Sequence, residues 1–234
     1  MSRSVLPSAF TLLQETMEDF TTHFVGYLLA GLVPYGVAFV VSLSLVVVLY
    51  GMVGLGAVPG IMAEDETLLI GGAAIGAIAG SLTMFLAMTA VVSPLHVSLL
   101  RSMHEHHRSG ADLDIRASMR HARRLGPRAF GVMLATGTLT GTGALFCLFP
   151  GVLASLFLVF ALPAVALSEL SPMAALGRSA SHVRGNIQWH LGIWGLVVVV
   201  AIGGQGVPLI GPLLAVPFTY AFLARAYSAA FPNG

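Results

Sequence analysis

The sequence predicts an all-α, polytopic membrane bundle. It has six transmembrane helices in helix-plus-hairpin repeats, with amphipathic surface helices between them. Three observations predict this. Of 234 residues, 56% are hydrophobic and only 9% charged, against about 25% charged in an average soluble domain. Polar groups this sparse cannot cover a globular surface, so lipid must. Long apolar runs alternate with short polar segments. Finally, all eleven basic residues are arginine, and a six-span reading places every one of them on the same side.

Residues 8 to 22 are the first element. Phe10, Leu13, Met17, Phe20 and Phe24 follow helical spacing, whereas Gln14, Glu15, Glu18 and Asp19 fall largely elsewhere on the wheel. This pattern predicts an interfacial helix leading into the first span. The same acids precede the long apolar run, so the start does not read as a cleavable signal peptide.

The first span is expected from about 24 to 50, with a kink at Pro34 and Gly36. A Gly/Pro-rich loop is expected next, ending in Glu64, Asp65 and Glu66. The second span starts near Leu68 and carries Gly72, Gly76 and Gly80. That doubled small-xxx-small motif lets another helix approach closely, within the chain in preference to a dimer. Pro94 is expected to bend this helix, which then continues to about His107.

Residues 101–128 contain seven arginines: 101, 108, 116, 120, 123, 124 and 128. Ile115, Met119 and Ala122 share one helical face, and Arg116, Arg120, Arg123 and Arg124 another. This reads as a basic amphipathic helix over 112–128, suited to anionic lipid. The third span follows from about 129 to 149, with a tight turn at Pro150 and Gly151. The fourth span continues to about Ser168.

A second surface helix spans 172–184. Ser171 suits its N-cap, Pro172 its first position and Gly185 its stop. Met173, Leu176, Ala180 and Val183 form the apolar stripe. The fifth span runs from about 187 to 202. A Gly-Gly-Gln-Gly turn leads to the sixth span, which ends near Tyr227 and starts irregularly at Pro208, Pro212 and Pro217.

The arginine pattern orients these spans. Arg3, the seven arginines of 101–128, Arg178, Arg184 and Arg225 share one side, and the opposite loops have none. The positive-inside rule makes that side cytoplasmic and puts both termini there. The expected location is the bacterial cytoplasmic (inner) membrane, multi-pass.

A shift of 61 positions aligns Ser118 with Ser179, His121 with His182 and Arg123 with Arg184. It also matches Gly131 with Gly192, Gly143 with Gly204, Leu148 with Leu209, Leu153 with Leu214, Ala154 with Ala215 and Phe157 with Phe218. Within the single domain 1–234, the units 112–170 and 171–230 therefore read as parallel repeats, and 8–100 repeats their plan of surface helix and hairpin with little sequence identity. Parallel repeats slightly lower the prior for a transporter built on inverted ones.

The stretch 169–186 holds Glu169, then Pro172, Ala175, Leu176, Arg178 and Ser179, then Gly185 and Asn186. This pattern resembles that of uncharacterised bacterial integral membrane proteins. They are similar to the membrane domain of some glycerophosphodiester phosphodiesterases. No catalytic domain of that kind is present in this chain. The resemblance implies a six-span fold and no enzymatic activity, with Glu169, Pro172, Arg178, Ser179, Gly185 and Asn186 as structural motif residues.

Few residues point to chemistry. His104 and His107 are three apart and suit a shared metal by helical spacing. No further ligand pattern accompanies them, and a solvated face is preferred. Glu169 is expected to accept hydrogen bonds at the next helix start or to pair with Arg178. Thr136, Thr138, Thr140 and Thr142 read as helix packing before they read as a polar path. Cys147 is the only cysteine and reads as a small buried hydrophobe. It excludes a disulfide framework within the chain. His190 and Gln205 lie near span ends, where polarity costs little. No catalytic, cofactor or metal residues are assigned.

The functional expectation is a non-enzymatic scaffold or lipid- or partner-interacting module. Arg116, Arg120, Arg123, Arg124, Arg178 and Arg184 would face anionic headgroups or a protein partner. A homo-oligomer stays open, and no nucleic acid is expected. The alternative is a small transporter or channel for an unidentified solute, using the third and sixth spans. A membrane-bound enzyme is the third class, weakened by the lack of an acid or nucleophile at the membrane midplane.

Overall fold

Helix follows helix through the described chain, and no strand occurs among the described residues. The computed structural model describes residues 6–110, 112–207 and 210–232, and for Ile115, Arg116 and Gln205 the backbone alone. Arg3, Pro208 and Leu209, used in the topology and repeat readings, lie outside the described residues, as do the Arg116 and Gln205 side chains.

The helices are α1 (Ala9–Thr22), α2 (Phe24–Ala63), α3 (Glu66–Ser109), α4 (Ile115–Phe146), α5 (Leu148–Phe157), α6 (Ala161–Ser168), α7 (Pro172–Gly185), α8 (Ile187–Gln205) and α9 (Ile210–Ala230). Six segments are long and apolar enough to cross a membrane: Phe24–Ala63, Glu66–Ser109, Ala117–Phe146, Leu148–Ser168, Ile187–Gly204 and Ile210–Ala230. The protein is an all-α, multi-pass membrane protein.

The chain divides into two bodies, one of Gly36–Val92 and one of Met1–Tyr35 with Ser93–Gly234. The first is a helical hairpin. The loop expected after residue 50 is helix instead, up to Ala63. Backbone groups beside lipid must be satisfied within the segment, which favours continued helix over loop. The turn is confined to Glu64, in the left-handed region at φ 52°, and Asp65. The Asp65 Oδ1 accepts the N–H groups of Thr67 at 2.8 Å and Leu68 at 3.1 Å. A Cβ on Gly72 would strike the Gly56 carbonyl, and one on Gly76 the Met52 carbonyl. The small-xxx-small motif therefore closes the chain's own hairpin.

In the second body, α4 pairs with α5 and α8 with α9, while α1 packs on α9 and α8, and α7 on α6, α4 and α5. Phe160, Ala161, Ala164 and Val165 are buried with Leu100, Ala129, Ala175 and Phe222. The basic helix expected over 112–128 is not separate: α4 runs unbroken through Pro127 to Phe146. Its arginines therefore flank the end of a span.

The turn between α4 and α5 falls at Cys147, in extended conformation, and not at Pro150 and Gly151. Pro150 fits in the first turn of α5, where an N–H would have no helical acceptor. Cys147 is exposed, contrary to its expected burial. The fourth span is broken between α5 and α6. Ser179 bridges that break: its Oγ donates to the Phe157 carbonyl at 2.7 Å and accepts the Phe160 N–H at 3.2 Å. Gly203 to Gln205, expected as a turn, complete α8.

Helix α7 starts where expected, with Ser171 Oγ accepting the Ala174 N–H at 3.4 Å. Helices α1 and α7 each bury one face in the bundle and expose apolar residues on another. In α7, Ala175, Ser179 and Val183 are buried, and Met173 is exposed. In α1, Leu12 and Thr16 are buried, while Phe10 and Met17 are exposed. Lipid is as apolar as Leu or Phe, so bulky apolar groups gain little by turning inward. Small and hydrogen-bonding residues gain more from close helix contact.

Candidate functional site

His23 alone separates α1 from α2, with φ −111° and ψ 30°, and its N–H bonds the Asp19 carbonyl at 2.9 Å. The helical phase is nearly kept across this break. Asp19, His23 and Tyr27, each four residues apart, therefore share one face. The last turn of α3 adds His106, and α9 adds Arg225.

These side chains converge on the Asp19 carboxylate. Its Oδ2 accepts the Tyr27 hydroxyl at 2.8 Å and Arg225 Nη2 at 2.5 Å. Its Oδ1 lies 2.9 Å from His23 Nδ1 and 3.1 Å from His106 Nε2. Glu15 Oε2 approaches Arg225 Nη1 at 3.9 Å. Tyr27, His106 and Arg225 are buried. The Asp19 side chain is 14% exposed and that of His23 48%. A cleft of about 420 Å³ opens at His23 and His106, bounded also by Thr22, Gly26, Asp112 and Leu113.

Burial pulls the Asp19 carboxyl upward, but hydrogen bonds from Tyr27, Arg225 and His106 outweigh it and lower it to about 2. A carboxylate so strongly stabilised is a poor proton acceptor near neutral pH. Its chemistry is that of a fixed anion, able to orient donors or ligate a cation.

Glu169 is the hub of a second cluster. It ends α6 in the left-handed conformation, at φ 52° and ψ 27°. Its Oε1 lies 2.7 Å from His121 Nε2, and its Oε2 accepts Arg124 Nη2 at 2.5 Å. Arg101 Nη1 approaches at 3.7 Å, and Arg128 donates to the Glu169 carbonyl at 2.7 Å. Burial raises the Glu169 carboxyl, but its bond to His121 and the Arg124 charge prevail and lower it. The expected Arg178 pairing is not made. Arg178 lies over the Phe231 ring, 4.3 Å from its centroid.

In α7, His182 Nδ1 lies 2.7 Å from His190 Nε2. Burial, then the Arg178 charge, lowers His182 below its ordinary value.

The arginines expected to meet lipid have separate fates. Arg120, Arg123 and Arg184 are exposed, with no ion-pair partner among the described residues. Arg124 is paired yet 69% exposed. Pro172 begins α7, while Gly185 is its last helical residue and Asn186 its C-cap. Thr138 and Thr142 face outward, and Thr136 Oγ1 donates to the Met133 carbonyl at 3.1 Å. Thr136 and Thr140 are half-buried. Of the histidine run, His106 is the member drawn onto Asp19, not His104 or His107.

No protein family, curated protein or solved structure matches the chain.

Sequence reasoning put Asp19 on the polar face of α1 and missed this cluster. The available signal was the four-residue spacing of Asp19, His23 and Tyr27. Nothing local in the sequence pointed to Arg225.

Proposed function

We propose that this protein is a non-enzymatic component of the bacterial inner membrane whose cytoplasmic end holds the phosphate groups of anionic lipids. The single observation carrying this reading is the exposed trio Arg120, Arg123 and Arg184. They lack acidic partners among the described residues, although Glu169 and Asp19 pair with other bases of the same body. Guanidinium groups at a span end sit at headgroup depth and match phosphate oxygens bidentately. Each contributes about 1 kcal/mol toward an anionic surface. In this reading the arginine-rich side is cytoplasmic, with both termini there. The resemblance of 169–186 to uncharacterised bacterial integral membrane proteins supports the non-enzymatic part of this reading.

The test uses the full chain in nanodiscs of phosphatidylcholine with or without phosphatidylglycerol, followed by native mass spectrometry of co-released lipid. Phosphatidylglycerol should be enriched around the wild-type protein. An Arg120→Gln, Arg123→Gln, Arg184→Gln protein should lose up to about a hundredfold of that preference. Equal retention of both lipids by the wild type sinks the proposal.

A further inference from the structure

We propose that Asp19, His23 and His106 form a binding site for a divalent transition-metal ion of the zinc class, with one exchangeable position facing the neighbouring cleft. Each residue offers one ligand atom, and the three atoms lie within 4.8 Å of one another. The Asp19 Oδ1 is 2.9 Å from His23 Nδ1 and 3.1 Å from His106 Nε2. Zinc bonds of about 2.0–2.2 Å in tetrahedral geometry require ligand separations of about 3.3–3.5 Å. The two Asp19–imidazole separations need to widen by only a few tenths of an ångström, while the two imidazole nitrogens, within 4.8 Å of each other, must settle at about 3.5 Å.

The surrounding groups suit such a site. Tyr27 and Arg225 both bond Oδ2, which fixes the carboxylate with Oδ1 toward the imidazoles. Ligating carboxylates are commonly oriented in this way by an outer layer of hydrogen bonds. Two imidazoles and one carboxylate favour zinc and its neighbours over magnesium or calcium, which prefer oxygen ligands. Three protein ligands leave a fourth position open, as in exchangeable zinc sites. The cleft of about 420 Å³ adjoins both histidines. His106 is buried, whereas His23 is half-exposed at the break between α1 and α2, so the ion enters past His23. The Arg225 charge opposes a cation, but it acts from the far oxygen. The competing arrangement is a cage of hydrogen bonds alone, in which both histidines donate N–H to Oδ1.

The experiment separates the two. Tag-free, full-length protein in detergent is stripped with chelator, exposed to zinc chloride and desalted. Bound zinc is then measured by elemental mass spectrometry, and cobalt(II) absorption reports ligand geometry. Wild type should retain one zinc per chain and give a tetrahedral cobalt spectrum. His23→Ala should lose that zinc while the stripped protein melts at an unchanged temperature, because Asp19 keeps Tyr27, Arg225 and His106. Tyr27→Phe should weaken zinc affinity about tenfold or more. Wild type without stoichiometric zinc, or equal zinc in His23→Ala, overturns the proposal.

Discussion

Asp19 and Arg225 lie 206 positions apart in the chain, yet Asp19 Oδ2 accepts Arg225 Nη2 at 2.5 Å. The pair joins the first helix of the chain to the last, with both side chains mostly shielded. Removing one member of a shielded ion pair leaves the other uncompensated, at a cost of about 3 kcal/mol. Asp19→Asn, measured with chelator present, should therefore melt well below wild type in detergent. Arg225→Met added to Asp19→Asn should cost less than the two single losses combined. An Asp19→Asn protein melting like wild type would show that the pair does not secure α1 to α9.

Ser179 and Ser118 occupy matching positions in the proposed repeats but carry different loads. Ser179 holds the break between α5 and α6 through two hydrogen bonds, while the buried Ser118 Oγ has no partner among the described residues. Ser179→Ala should destabilise by about 2 kcal/mol, because buried backbone groups are left unsatisfied. Ser118→Ala should be near neutral. Thermal unfolding of both variants checks this, and equal losses would refute the assignment.

Glu169 and Arg178 belong to separate groups, one with His121 and Arg124, the other on Phe231. The losses in a Glu169→Ala, Arg178→Ala double variant should add to within about 0.5 kcal/mol. Glu169→Ala with Arg124→Ala should instead be less than additive. A strong coupling between Glu169 and Arg178 would contradict these contacts. Glu169→Gly should be milder than Glu169→Ala, because glycine accepts the left-handed backbone at this position.

His182 supplies a pH dependence. Burial, then Arg178, lowers its folded value below the ordinary 6.5, so folding favours the neutral ring. Its contribution is complete above pH 6.5 and declines as pH falls toward the folded value. The Arg178 charge disfavours a positive charge on the ring, and His190 faces it at 2.7 Å. Melting temperatures between pH 7.5 and 5.5 should therefore fall in wild type and fall less in His182→Gln. Identical pH profiles would exclude His182 as the source.

The span count, the N-cap at Ser171 and the start of α7 at Pro172 were readable because each depends on composition or a few neighbouring residues. The small-xxx-small glycines were readable for the same reason: a missing side chain permits close approach wherever the partner lies. Phe10, Met17 and Met173 stay exposed, as residues on a membrane-surface helix can, whereas the inner faces of α1 and α7 were not legible, because Thr16, Ala175 and Ser179 form no apolar stripe.

Composition, hydropathy and local caps determined that this chain crosses a membrane six times as helix, because sparse charge and unbroken apolar runs permit little else. Only the tertiary structure decided which polar groups meet. Asp19 faces Arg225 and His106, and Glu169 faces His121 and Arg124 in place of Arg178. These pairings join residues far apart in the chain. They arise from the cost of leaving a charge or hydrogen-bonding group unpaired between packed helices, and no local pattern encodes them.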